Sequence, residues 1–309
     1  MVIKNKILVT GGAGYIGSWL VPMLLAHRYK VKTIDKCIFS QNSLLHCCIY
    51  KDFEFIRKDI RKIEKEDLED CEFVIHLAAI VGEPSAQSDP TLCWEVNTGA
   101  TERMVKLCDR QKFIFVSTGS VYGKVEGMCA EEAPTNPLGH YGKSKLEAEK
   151  IIINSGLDYV IHRPATAFGV SPRLRLDLLI NNFVYKALKH GSMVLYEPKA
   201  KRTFIHAYDI ARSLHFAVEN FEKLKREIYN VGDEQNNIEK GEVAEKIKKR
   251  VGFSLTYADY MKDPDQRDYE VSYKKIKNKG FQTKYSVDEG IDELIKAIKG
   301  IIFYNQFNL

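Results

Sequence analysis

The chain has 309 residues, 45% hydrophobic and 28% charged, an ordinary composition for a protein that folds in water. Its 46 basic and 41 acidic residues leave a net charge of +5, too scattered for a nucleic-acid stripe, and no apolar run reaches membrane length. The length fits one large α/β domain or a domain with a smaller companion.

Residues 6–35 read as one βαβ unit. Lys6-Ile7-Leu8-Val9-Thr10 is a short apolar strand, and Gly11-Gly12-Ala13-Gly14-Tyr15-Ile16-Gly17 follows at once. A helix is expected over 18–27, with Pro22 near its first turn, and a second strand over 31–35. The glycines fit two spellings, G-x-G-x-x-G through Gly12, Gly14 and Gly17 or G-x-x-G-x-x-G through Gly11, Gly14 and Gly17. Either lets a pyrophosphate approach the backbone at the positive end of a helix. Asp35 comes 21 residues after Gly14, at the end of the second strand. A carboxylate there accepts both ribose hydroxyls and repels a 2′-phosphate, which points to NAD rather than NADP.

Residues 36–52 read as irregular. Strands are expected over 53–56 and 73–77, the latter ending in Ala78-Ala79, whose small side chains leave room for a ligand. A helix over 91–110, a strand over 112–117, a helix over 141–154 and a strand over 159–163 follow, with Pro164 ending the last ladder. Alternating strands and helices argue for a Rossmann-type doubly wound parallel sheet covered on both faces. We assign residues 1–169 to an NAD-binding domain and 170–309 to a smaller substrate region. In the second part, helices are expected over 178–190, 208–220, 241–250 and 288–298, and strands over 193–196 and 227–231. The apolar run at 227–231 suits a buried strand, so the two regions should interleave. The lysines of 274–279 read as a solvated helix face. Cysteines stand at 37, 47, 48, 71, 93, 108 and 129; their odd number, with no C-x-x-C, suggests reduced thiols in a cytosolic enzyme without a metal. With no signal peptide read before the first strand, a cytoplasmic location is expected.

Tyr141-Gly142-Lys143-Ser144-Lys145 carries the chemistry. On a helix, Tyr141 and Lys145 share a face. A cation beside the phenol favours the phenolate, turning a group that ordinarily titrates near pH ~10 into a base for neutral pH. Thr118, just after the strand over 112–117, places a hydroxyl in the same crevice and completes a proton-transfer set.

With these residues in view, the chain resembles the extended short-chain dehydrogenase/reductase family, in its nucleotide-sugar epimerase, dehydratase and dehydrogenase branch. The resemblance rests on Thr10 to Gly17, His76-Leu77-Ala78-Ala79, Asn97, the Thr118 stretch, Tyr141…Lys145, Arg163-Pro164…Phe168-Gly169, Arg202 to Ala211, and Tyr229-Asn230-Val231-Gly232. It implies that Tyr141 takes the proton from a sugar hydroxyl as hydride leaves for nicotinamide. Lys145 would bond the nicotinamide ribose and lower the Tyr141 pKa, and Thr118 would bond the reacting oxygen. On the cofactor side it implies Gly11, Gly14, Tyr15, Ile16, Gly17, Asp35, Leu77, Ala78, Ala79, Ser117 and Arg163. Asp59 and Ile60 would flank the adenine, and Asn97 would support the active-site backbone or its water. On the substrate side it implies Thr118, Ser120, Asn181 (with Asn182 as a rival), and Arg202 and Arg267 as diphosphate clamps, since a guanidinium bonds phosphate bidentately. His76, His162 and His206 are expected to be structural.

One departure narrows the chemistry. In the family's 4,6-dehydratases an Asp-Glu pair follows the catalytic Thr, whereas Gly119 and Ser120 stand here. Without that acid and base, elimination is not expected. Oxidation at C4 of a sugar remains, ending either in release of the keto sugar or in its reduction on the other face. The loop Ile80 to Ala86 is similar to a divergent branch that includes GDP-heptose 4-dehydrogenases of capsule biosynthesis. The expectation is therefore a nucleotide-sugar 4-dehydrogenase, with a 4-epimerase as the alternative. The resemblance also implies at least a homodimer, paired through the helices over 91–110 and 141–154.

Overall fold

The computed structural model of the protein describes residues 4–39, 42–258 and 268–301. In chain order, β1 (Lys4–Thr10), α1 (Gly17–Ala26), β2 (Tyr29–Asp35), β3 (Phe53–Arg57) and β4 (Phe73–His76) come first. They lead to three short helices, α2 (Glu83–Ser88), α3 (Pro90–Trp94) and α4 (Ala100–Leu107). Next come β5 (Lys112–Val116), β6 (Lys124–Cys129), α5 (His140–Ile153) and β7 (Tyr159–Pro164). The rest comprises β8 (Thr166–Phe168), α6 (Leu179–His190), β9 (Ser192–Tyr196), β10 (Lys201–His206), α7 (Ala207–Glu219), α8 (Phe221–Leu224) and β11 (Glu227–Val231). It ends with β12 (Asn237–Glu239), α9 (Lys240–Val251), β13 (Ser254–Ala258), β14 (Asp268–Val271), α10 (Lys274–Asn278) and α11 (Val287–Gly300).

Seven strands form one sheet in the order β3-β2-β1-β4-β5-β7-β11, every pair parallel. Side chains alternate across it, as a pleat requires. Ile7 and Val9 pack on one face with Leu20, Val21 and Leu24 of α1 and Leu214 of α7. Leu8 packs on the other face with Met104 of α4 and Ala148 and Ile152 of α5. Both faces are thus covered, which is why the strands read as continuous apolar runs. The expected strand at 227–231 pairs with β7 at the sheet edge, Tyr229 opposite His162. A second core gathers around Phe168, Ile180, Val184, Phe204, Ile247 and Ile291, under α6, α9 and α11.

The expected helix over 91–110 is broken. Asp89 caps α3 by accepting from the Leu92 N–H at 2.9 Å, and a π-turn over Glu95–Gly99 precedes α4. Pro22 lies inside α1 rather than at its first turn, because the helix opens at Gly17 and runs only to Ala26. The lysine-rich segment at 274–279 is α10 and its end; Lys274 and Lys279 are exposed, and two of its lysines form ion pairs. Lys275 meets Glu227 at 2.9 Å, and Lys277 meets Asp233 at 3.2 Å.

Candidate active site

The strand order reverses between β1 and β4, and a cleft of about 300 Å³ opens at their carboxyl ends. In a doubly wound sheet this is where ligands bind. Gly11, Gly14, Tyr15, Ile16 and Gly17 line its floor. Gly11 sits at φ +70°, and a Cβ there would lie 2.7 Å from the Ala78 nitrogen, so only glycine lets β1 and β4 converge this closely. At the far end Asp35, Asp59 and Ile60 form the wall. The Asp35 carboxylate accepts from the Ala13 N–H at 3.0 Å and the Cys37 N–H at 2.7 Å, which fixes it facing the glycine loop. Burial pushes its pKa up, while those amides and Arg173 pull it back. Asp59 is held well below the usual carboxylate range, chiefly by Arg61, whose Nη2 lies at 2.9 Å.

Leu77, Ala78 and Ala79 line the middle, and Ser117, Thr118, Ser120, Tyr141 and Lys145 close the other end. Ser117 Oγ is buried and has no hydrogen-bond partner among the described residues. An orphaned hydroxyl in a cleft wall is the kind of group a polar ligand satisfies. Thr118 Oγ1 accepts from the Ser120 N–H and donates to Ser120 Oγ, both at 3.1 Å. Lys145 is 2% exposed, its Nζ 3.9 Å from the centre of the Phe115 ring. Burial pushes its pKa down to about 7, against the upward pull of Glu149 one turn further on. Glycine floor, fixed carboxylate and orphaned hydroxyl together fit a dinucleotide.

Four of the expected site residues lie elsewhere. Asn97 is buried behind the cleft: its Oδ1 accepts from the Ile80 N–H at 2.8 Å, and its Nδ2 donates to the Ile80 carbonyl and Ser144 Oγ, each at 3.0 Å. It fixes the loop after β4 from beneath, through the π-turn. Arg163, expected beside the cofactor, is committed to Glu149 at 2.6 and 3.0 Å and to Tyr122 Oη at 3.1 Å. Asn181, expected at the substrate diphosphate, braces Gly169, Tyr15 and Arg175 instead, for example donating to the Arg175 carbonyl at 2.7 Å. Arg202 is buried in β10, its Nη1 donating to the Lys201 carbonyl at 3.0 Å, and it is not among the lining residues of the cleft. Arg267 lies outside the described residues. His76 is neutral, pushed down to about 3 by burial and the Lys145 charge, and bridges Thr10 and Thr101.

Arg173 and Arg175 are among the cleft residues that escaped the sequence reading. Glu83 did too: its carboxylate accepts from the N–H groups of His140 at 2.9 Å and Tyr141 at 3.1 Å. Among the described residues no group of three or more His, Cys, Asp or Glu side chains could hold a metal ion, and no helix is long and apolar enough to cross a membrane.

This fold and cleft define a dinucleotide-dependent enzyme of the Rossmann class. Residues 7–232 match the NAD dependent epimerase/dehydratase family, and the chain belongs to it. A "Putative UDP-glucose 4-epimerase" of Methanocaldococcus jannaschii is 29% identical over 309 residues, spanning 95% of this chain and 98% of that one. An uncharacterised UDP-glucose epimerase of Bacillus subtilis is 31% identical over 68% of this chain and 71% of its own. Among solved structures, the UDP-glucuronic acid 4-epimerase of Bacillus cereus, in complex with UDP-glucuronic acid and NAD, superposes with a TM-score of 0.86 at 27% identity. That match covers 95% of this chain and 99% of the other. The chain is thus similar to nucleotide-sugar epimerases along nearly its full length, and NAD is the family's cofactor.

Proposed function

We propose that the protein is a 4-epimerase of a nucleotide-activated hexose, with UDP-sugars as the substrate class. The observation that carries this reading is the composition of the cleft. Thr118, Tyr141 and Lys145 line one end, while the only lining carboxylates among the described residues, Asp35 and Asp59, line the other. Proton abstraction from an alcohol is provided for; the acid and base of an elimination are not, since Gly119 and Ser120 occupy the positions after Thr118. The relatives favour the epimerase over the 4-dehydrogenase, and UDP over GDP as the carrier.

In this reading bound NAD supplies a reversible hydride acceptor. Gly11 to Gly17 hold its pyrophosphate, Asp35 its adenosine ribose and Lys145 its nicotinamide ribose. Tyr141 accepts the proton of the C4 hydroxyl and later returns it. Thr118 turns its hydroxyl hydrogen from Ser120 Oγ to the C4 oxygen, while the Ser120 N–H continues to hold Thr118 Oγ1. Lys145, when protonated, supplies positive charge to favour the phenolate, and the apolar cleft wall excludes water. Arg267 is proposed for the diphosphate of the substrate. Pairing through the helical segment over 91–110 and α5 is proposed as well, with Trp94 of α3 and Ile153 of α5 exposed.

The test is proton NMR of the purified enzyme with NAD and UDP-glucose, UDP-N-acetylglucosamine or UDP-glucuronate. Inversion at C4, reaching the same mixture from either epimer, is expected. Accumulation of a 4-keto sugar with stoichiometric NADH would instead establish the dehydrogenase.

A further inference from the structure

The segment after β8 is sewn onto the glycine loop. The Tyr15 hydroxyl donates to the Gly169 carbonyl at 2.5 Å, and Trp19 Nε1 donates to the Val170 carbonyl at 2.9 Å. Ser171 Oγ donates to the Tyr15 carbonyl at 2.6 Å and lies 2.8 Å from Ser18 Oγ. The Arg173 N–H then donates to the same Ser18 Oγ at 3.3 Å. Ser18 is in the first turn of α1, so these bonds place Arg173 beside the helix end on which a dinucleotide pyrophosphate rests. Its guanidinium lies 4.6 Å from the centre of the Phe39 ring, across the cleft, and within electrostatic reach of Asp35.

We propose that Arg173 is a clamp on the cofactor pyrophosphate, delivered across the cleft from the second half of the chain. The proposal rests on the reading that the cleft holds NAD. Two further features support it. Arg173 is 4% exposed yet lines the cleft, so its charge already stands in a dry site, where an ionic hydrogen bond is stronger than in water. Burial and the neighbouring Arg175 push the guanidinium down to about 10, a cost that an arriving dianion relieves. Arg173 Nη1 donates to the Leu174 carbonyl at 2.9 Å, while Arg175 Nη2 lies 2.5 Å from Asp177 Oδ2. A planar fork also suits a pyrophosphate better than an ammonium would. In an epimerase the clamp has a purpose, because a cofactor that returns its hydride in each cycle has no need to leave.

Calorimetric binding of NAD, ADP-ribose, adenosine and UDP separates the possibilities, using wild-type protein stripped of nucleotide and the variants Arg173→Gln and Arg173→Lys. Failure of the wild type to bind NAD would overturn the cofactor reading itself. Given wild-type binding, Arg173→Gln is expected to weaken NAD and ADP-ribose about tenfold to hundredfold and to leave adenosine and UDP unchanged, with Arg173→Lys intermediate. Added salt should weaken ADP-ribose binding to the wild type more than to Arg173→Gln. Equal affinity of the wild type and Arg173→Gln for ADP-ribose would overturn the clamp, as would a loss confined to UDP. If Arg173→Gln does not fold, Arg173→Lys decides: ADP-ribose affinity unchanged from the wild type refutes a bidentate contact.

Discussion

At the scale of single residues, the charge on Lys145 is set by its surroundings. Burial drives the ammonium toward neutrality at about pH 7, and Glu149, itself 1% exposed, resists this. Arg163 grips Glu149 through both carboxylate oxygens, so the counter-charge cannot swing away. The Lys145 charge, which the proposed mechanism uses to favour the Tyr141 phenolate, is therefore present below about pH 7 and lost above it. The pH profile of kcat/KM should show a basic limb near that value. Glu149→Gln removes the upward pull and is expected to move the limb to lower pH; an unmoved limb would mean that Lys145 does not control it. Tyr141→Phe is expected to lower kcat by about 10²–10⁴-fold while NAD binding, measured by calorimetry, survives. Survival of the rate would dismiss the phenol as base.

At the scale of elements, α5 depends on a distant residue for its start. Its N-cap, Gly139, has no side chain to offer, and Glu83 of α2 supplies the carboxylate instead. A Cβ on Gly139 would lie 2.0 Å from that carboxyl group, so the glycine makes room for the cap. Glu83→Ala should cost about 1–2 kcal/mol in urea denaturation and also lower kcat, because Tyr141 rides on the uncapped turn. A fall in stability with full activity would show that the cap serves the fold alone.

The same elements explain what a reader of the sequence can and cannot see. The strands from Ile7 to Val9 and from Phe113 to Val116 are buried on both faces, so their apolar runs are visible in isolation. The glycine loop, Asp35, Thr118 and the Tyr141–Lys145 spacing are local patterns and equally visible. Glu83 reaches Tyr141 across 58 residues, and Arg173 reaches Ser18 across 155, so no local pattern reports them. Arg163 and Asn181 show the reverse. Each was expected at a ligand, but each serves packing: one joins β7 to α5, and the other joins the Gly169 turn to Tyr15. The interruption between α3 and α4 was hidden because the extra residue of a π-turn leaves the composition unchanged.

At the scale of the whole molecule, the two halves of the chain share one ligand cleft, so ligand binding should stabilise both together. NAD at a hundred times its Kd should add about 2.7 kcal/mol and raise Tm by roughly 5 °C, as one cooperative transition in calorimetry. Two separate transitions, only one of them shifted, would mean that the halves melt independently.

The placement of β11 also bears on how the protein is made. A ribosome that has released residues up to Pro164 has delivered six of the seven strands, yet β7 still presents an open edge. More than sixty further residues must emerge before Glu227–Val231 can close it. During that interval the nascent sheet carries unpaired backbone groups beside an apolar surface, the condition that invites strand addition from a neighbouring chain. Expression of a fragment ending near residue 169 should therefore yield aggregates rather than a miniature nucleotide binder, and supplying the missing strand as a tethered segment should restore it to solution.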